Sequence, residues 1–291
     1  MKISEQFYSL QGEGYHTGTP SYFIRFFGCS LQCQGFGQKD PADKTTWIQP
    51  WKTIDISSID KIEDLPEQVY EYGCDSVYSW SAKFKHLQKE MSVAEFMDKM
   101  KQDLGNLFSL LLEGHIHIVF TGGEPLMSFN QNMIIDVIEY LFKVENAKKL
   151  SITFETNGTQ YIGSPLDYVL DNYNIELTIS CSPKLLHTSG EQPIKAIKPD
   201  VIDNLMWFAD IPVLKFVVCN SEAAKVELLE TVHSLLGYSH INAAFIYLMP
   251  EGPNKHRVED SSTDIAEFAM KHGFRFSDRL HARLWDNKIG V

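Results

Sequence analysis

The chain has 291 residues, 44% hydrophobic, 12% aromatic and 22% charged, which is enough apolar material for a large core and not the composition of a disordered protein. Its length fits one elaborated α/β barrel, with two domains as the other option. A formal net charge of −12 argues against direct nucleic-acid binding by phosphate neutralisation. No apolar run reaches the length of a membrane span, and the opening MKISEQFYSLQGEG lacks the plan of a signal peptide, so a cytoplasmic protein without a membrane partner is expected.

In chain order, short runs rich in Ile, Val, Phe and Thr predict buried strands over 21–27, 115–120, 150–155, 175–180, 213–218 and 243–249. Apolar residues at three- and four-residue steps predict helices over 92–104 (with Ser92 as candidate N-cap), 131–144, 222–236 and 263–272. Between 34 and 73 the rhythm breaks: several Trp and Lys are followed by an acidic stretch, which reads as an insertion with its own local structure. Strand and helix in alternation imply a mainly parallel sheet with its functional groups at the strands' carboxyl ends. Those positions hold Gly28-Cys29, Thr121 to Pro125, Thr156 to Gly158, Cys181 to Lys184 and Pro250 to Gly252.

Five cysteines, Cys29, Cys33, Cys74, Cys181 and Cys219, suit reduced thiols or metal ligands better than a disulfide framework. Cys29 and Cys33 follow a predicted strand, so a tight loop can aim both sulfurs into one site; two incidental thiols are the plainer reading. Zinc held by Cys29, Cys33, Cys74 and a histidine such as His115 or His187 is a further option. In Gly122-Gly-Glu-Pro125, glycines allow close backbone approach to a ligand, and Glu124 is a natural acceptor for an ammonium.

These motifs, in this order, resemble the radical S-adenosylmethionine (SAM) enzymes, whose usual signature is CxxxCxxC. Phe36 stands where the third cysteine belongs and cannot bind iron. From end to end the chain resembles the 7-carboxy-7-deazaguanine synthase family. The likeness is carried by Ser9-Leu-Gln-Gly-Glu-Gly14, by Arg25 before the first cysteine, and by Cys74-Asp-Ser-Val-Tyr-Ser-Trp80. It continues through the Gly122-Gly123-Glu124-Pro125 turn, Glu155-Thr-Asn-Gly158, Ser182-Pro-Lys184, Lys215-Phe-Val217 and Leu248 to Gly252, and ends on Arg279 to Val291, where Asp286 and Ile289 depart from the pattern.

The resemblance implies an incomplete (β/α) radical SAM barrel of one domain, residues 1–291, with 34–73 inserted between the second and third cluster cysteines. It implies a [4Fe-4S] cluster on Cys29, Cys33 and Cys74, with one iron left open for SAM. Gly73, Asp75, Gly123, Glu124, Glu155, Ser182 and Lys184 would bind SAM, and Ser76 would give an oxygen to Mg²⁺. Leu10, Gln11, Gly12, Glu13, Arg25, Thr121 and Val291 would bind a pterin, 6-carboxy-5,6,7,8-tetrahydropterin, Arg25 taking its carboxylate. Arg25 as a structural ion-pair residue and Ser76 as a loop serine are the plain alternatives. The implied reaction is radical ring contraction with loss of ammonia in queuosine or other deazapurine biosynthesis, by a homodimer supplied by an electron donor such as a flavodoxin. A radical SAM enzyme or activase with another substrate, or a cluster-free regulatory homologue, are the rival functions.

Overall fold

The structure, a computed structural model, describes residues 2–286 and 288–291. Strands β1 (Lys2–Leu10), β2 (Pro20–Phe26), β3 (Lys89–Glu90), β4 (His117–Gly122), β5 (Leu150–Thr156), β6 (Ile175–Cys181), β7 (Ile211–Val218), β8 (Ile246–Pro250) and β9 (Arg275–Phe276) make one sheet in the order β3-β1-β2-β4-β5-β6-β7-β8-β9. From β2 to β9 every pairing is parallel; β1 runs antiparallel to β2 and β3.

The helices are α1 (Val93–Leu104), α2 (Phe108–Leu112), α3 (Ser128–Lys143), α4 (Ser164–Asn172), α5 (Leu186–Ser189), α6 (Pro193–Ala196), α7 (Pro199–Phe208), α8 (Glu222–Leu235), α9 (Lys255–His272) and α10 (Leu280–Trp285). Ser92 is the N-cap of α1, as the sequence predicts, and forms a capping box with Glu95. The periodicity reading misses β1, the two-residue strands β3 and β9, and the short helices α2, α4, α5, α6, α7 and α10. β1 hides its alternation because Ser4, Glu5 and Gln6 are all buried. α4 and α7 are short and open on a proline in the first turn. α9 begins at Lys255 rather than 263, capped by the Asn254 side chain, because its first two turns are polar. None of the described helices is long and apolar enough to cross a membrane.

Alternation along the strands divides the sheet into unlike faces. Ile24, Phe26, Ile118, Phe120, Ile152, Phe154, Ile179, Leu214 and Phe216 point one way and join apolar residues of α1, α3, α4, α7, α8 and α9 in the main core. Their neighbours in sequence, including Arg25, Thr121, Glu155, Ser180 and Lys215, point to the other face. Residues 44–87 run through short 3₁₀ turns around a second, smaller core of Trp51, Ile56, Ile62, Leu65, Val69, Tyr70, Val77, Tyr78, Phe84 and Leu87. The long segment between Cys33 and Cys74 closes on itself, since the Gly73 amide donates to the Phe36 carbonyl at 2.8 Å. Closure entropy grows only slowly with loop length, so joined ends make the excursion tolerable.

At the amino ends of the strands, His16 and His117 meet edge to face with ring centroids 4.1 Å apart, and a His16 ring nitrogen lies 2.8 Å from the Thr178 hydroxyl. Burial first, then the neighbouring His117, push the His16 pKa down to about 4. The folded chain therefore binds a proton less readily than the unfolded one. Its contribution to stability is complete above about pH 6.5 and is lost as the pH falls towards 4, on the order of 1–2 kcal/mol for a half-buried ring. Urea unfolding between pH 7.5 and 4.5 should show this slope, and His16→Gln should flatten it; an equally steep slope in the variant would assign the effect elsewhere.

Candidate active site

One cavity of about 330 Å³ opens at the carboxyl ends of the strands. Its cysteine wall begins in the loop after β2. The Glu191 carboxylate accepts from the backbone amides of Gln32 (2.6 Å) and Cys33 (2.8 Å), and this holds the loop while Cys33 takes a left-handed φ of 52°. Leu31, Cys33 and Ala196 form a small buried cluster against which Cys29, Phe36 and Cys74 pack. The residue that breaks the strict cysteine spacing, Phe36, is thus part of the same wall as Cys74.

Cys29, Cys33 and Cys74 are free thiols. Burial pushes Cys29 up to about 12 and Cys33 well above its ordinary range. Burial and Asp75 also raise Cys74, opposed by hydrogen bonding from Ser76 and by the nearby Trp80 indole N–H. Thiolates in such a wall need a cationic partner. Among the described residues no three His, Cys, Asp or Glu side chains converge on a point that would hold one metal ion. A four-iron cluster has a different requirement: each thiolate binds its own iron, so the sulfurs surround a body rather than a point.

The turns after β4, β5 and β6 form the next wall. A Cβ at Gly123 would lie 2.2 Å from the Gly28 carbonyl oxygen, so only glycine lets this turn meet the cysteine loop. Glu155 faces the cavity and accepts from Gln11 Nε2 at 3.0 Å. Ser182 and Lys184 face it too, the ammonium donating to the Ser182 hydroxyl at 2.8 Å. Glu124 differs from its expected role. It is 0% exposed and outside the cavity wall, and its carboxylate accepts from the Leu126 amide (2.9 Å), the Thr156 hydroxyl (2.8 Å) and the Asn157 amide (2.8 Å). With those bonds it braces the β4 turn against the β5 turn. Glu124→Ala leaves three donors without that acceptor, so a stability loss of at least ~2 kcal/mol is expected in denaturant melts; a wild-type midpoint would refute the brace.

The β1–β2 hairpin supplies the opposite wall, where cross-strand partners Glu5 and Arg25, and Phe7 and Phe23, meet face on. The two phenyl rings stack at 5.1 Å, and Arg25 Nε donates to Glu5 at 2.6 Å. Both Arg25 readings therefore have room: its Nε is structural, while its terminal nitrogens make no hydrogen bond among the described residues. Leu10 and Gly12 do not line the cavity. A Cβ at Gly12 would sit 2.0 Å from the His281 ring, so the absence of a side chain at Gly12 admits the C-terminal segment.

Glu13 lines the cavity but is already engaged, accepting from Lys215 and, at 3.2 Å, from Arg279, which also reaches Asp75 at 3.0 Å. Burial opposes its charge, yet the Lys215 and Arg279 cations hold its carboxyl far below the ordinary range. Gly73, Asp75, Ser76, Thr121 and Val291 also border the cavity. Sequence reasoning assigned no role to Glu5, Glu191, Lys215, Arg279 or His281. For the last three the signal was present in the matched phrases, whereas Glu5 and Glu191 carry none.

No family model matches the chain. It is 28% identical over 302 aligned residues to the 7-carboxy-7-deazaguanine synthase of Halobacterium salinarum, covering 99% of this chain and 91% of that one. The chain is a relative of the 7-carboxy-7-deazaguanine synthases. A second synthase, from Pyrobaculum aerophilum, is 28% identical over 295 residues, covering all of this chain and 97% of its own. The crystal structure of QueE from Escherichia coli shares the fold, with a TM-score of 0.51 at 21% identity over 96% of this chain and 94% of that one. The alignments to these synthases thus run over nearly the whole of this chain.

Proposed function

We propose that this chain is a 7-carboxy-7-deazaguanine synthase that converts 6-carboxy-5,6,7,8-tetrahydropterin into 7-carboxy-7-deazaguanine with release of ammonia. The observation that carries the reading is that one cavity collects the three clustered cysteines, the GGEP, ETNG and SPK turns and the polar hairpin wall. We read the open sheet as an incomplete (β/α) barrel and residues 34–73 as an insertion in its cluster loop.

Cys29, Cys33 and Cys74 would hold the [4Fe-4S] cluster. SAM bound at the iron they leave open would supply a radical able to take a hydrogen from C6 of the pterin. The protein's own groups bind and orient. The backbone of Gly73 and Gly123, with Asp75, Glu155, Ser182 and Lys184, meets SAM, and Glu124 fixes the turns from behind. Phe7 and Phe23 offer a flat apolar bed for a planar ring system. Glu13, held ionised, accepts from the donor edge of the pterin, Gln11 and Thr121 add polar contacts beside it, and Arg25 meets the carboxylate with its unused nitrogens. Ser76, 9% exposed on the cavity wall, would give Mg²⁺ one oxygen, leaving the remaining positions to substrate and water. Val291 closes the wall. A flavodoxin-like electron donor and a homodimer belong to the same proposal.

Anaerobically reconstituted protein given SAM, a reductant and the carboxytetrahydropterin should yield the deazaguanine and ammonia. Arg25→Lys keeps a cation beside Glu5 but loses the planar fork; a roughly 10- to 100-fold loss in kcat/KM with SAM cleavage retained is expected, from ~1.5–3 kcal/mol for a charged hydrogen bond. Unchanged turnover by Arg25→Lys and by Glu13→Gln would remove both residues from the pterin contacts, and SAM cleavage without deazaguanine formation in the wild type would point to another radical SAM substrate.

A further inference from the structure

Trp80 ends the phrase that begins at Cys74, and the reading above gives it no work. Its ring meets Trp51 edge to face, centroids 5.8 Å apart, and packs on the small core of residues 44–87. It borders the active-site cavity on one side and, on the other, a hollow of about 460 Å³ lined by Trp47, Trp51, Lys44 and Lys52. The neighbouring indoles have ordinary acceptors: Trp47 donates to the Pro41 carbonyl at 3.2 Å and Trp51 to the Gln34 side chain at 3.1 Å. The Trp80 Nε1 is buried and has no such partner among the described residues. The acceptor beside it is the Cys74 sulfur. A buried N–H without an acceptor is costly, so a sulfur that becomes anionic on binding a metal would satisfy it.

We propose that Trp80 is a positioning residue that donates its indole N–H to the Cys74 sulfur and thereby raises the reduction potential of the cluster that Cys74 helps to hold. The inference rests on the reading of Cys74 as a cluster ligand. An added electron increases the negative charge on the ligand sulfurs, so a hydrogen-bond donor stabilises the reduced cluster more than the oxidised one. Removing the donor makes reduction harder. Cys29 has donors of a different kind, the Leu31 amide at 3.4 Å and the Asn157 side chain at 3.6 Å, so the Trp80 contribution is separable from theirs.

Trp80→Phe keeps a ring in place and deletes the N–H. Wild type and variant are reconstituted anaerobically, compared for iron and sulfide content, and titrated by electron paramagnetic resonance. The expected result is equal cluster content with a more negative midpoint in Trp80→Phe; a tenfold change in the one-electron equilibrium reads as ~59 mV. Equal midpoints at equal cluster content overturn the proposal. A wild-type protein that assembles no cluster would instead overturn the underlying ligand reading, and iron analysis reveals that before any titration. Should Trp80→Phe fail to fold, wild-type protein carrying indole-¹⁵N tryptophan decides: a ¹⁵N hyperfine coupling to the reduced cluster supports the contact, and its absence overturns it.

Discussion

Cys74→Ala should retain its fold and lose its cluster. After anaerobic reconstitution its iron and sulfide are expected at background and its SAM cleavage abolished, because two thiolates from one loop cannot replace a third that enters from the far end of a 40-residue excursion. The small, part-buried side chain contributes little to packing, so the melting temperature should stay near that of the wild type. Cys181→Ala supplies the contrast. That thiol is fully buried beneath Gly158, pushed up by burial, and belongs to the main core, so its loss costs stability while the cluster persists. A complete SAM-cleaving cluster in Cys74→Ala would remove Cys74 from the ligand set and reopen the cluster-free reading of the chain.

Glu13→Ala should lower both stability and turnover, for separate reasons. Lys215 is only 5% exposed, and without Glu13 its ammonium keeps no bonded carboxylate, whereas Arg279 retains Asp75. Breaking a buried pair in this way costs about 3–5 kcal/mol, on the order of 10 °C in melting temperature for a chain of this size. Removing both charges together, in Glu13→Gln with Lys215→Met, takes away the uncompensated cation and should recover most of that loss. Turnover should not recover, because the anionic acceptor proposed for the pterin is gone. Melts and product assays on the single and double variants separate the two effects. A Glu13→Ala protein that melts within a degree or two of wild type would show that Lys215 has another counter-charge.

Much of the cavity was legible before any fold was known. Gly123, Glu155, Ser182 and Lys184 stand at the ends of predicted strands, and the cavity borders all four. Leu10, Gly12 and Glu124 lie in equally good motifs but stand outside the wall, as the half-buried end of β1, a close approach to His281 and a buried brace. Nothing local shows which of Glu124 and Glu155 faces the cavity, since both are carboxylates at the carboxyl end of a parallel strand, Glu155 as the next-to-last residue of β5 and Glu124 just beyond β4. The three hydrogen bonds that turn Glu124 inward come from the β5 turn and from its own next residues but one, a pairing set by how two loops dock. The Glu13 network has the same origin, for its members come from residues 13, 75, 215 and 279.

What the sequence determined by itself was the alternation of strand and helix, the chemical groups available and their places at the strand ends. These follow from periodicity and turn chemistry, which act over a few residues. Tertiary structure alone decided that Cys74 returns to the wall of Cys29 and Cys33, that Glu124 faces inward while Glu155 faces the cavity, and that Lys215 and Arg279 hold Glu13 ionised. Those outcomes depend on contacts between segments tens to hundreds of residues apart, and burial and charge act on side chains only once the fold has brought them together.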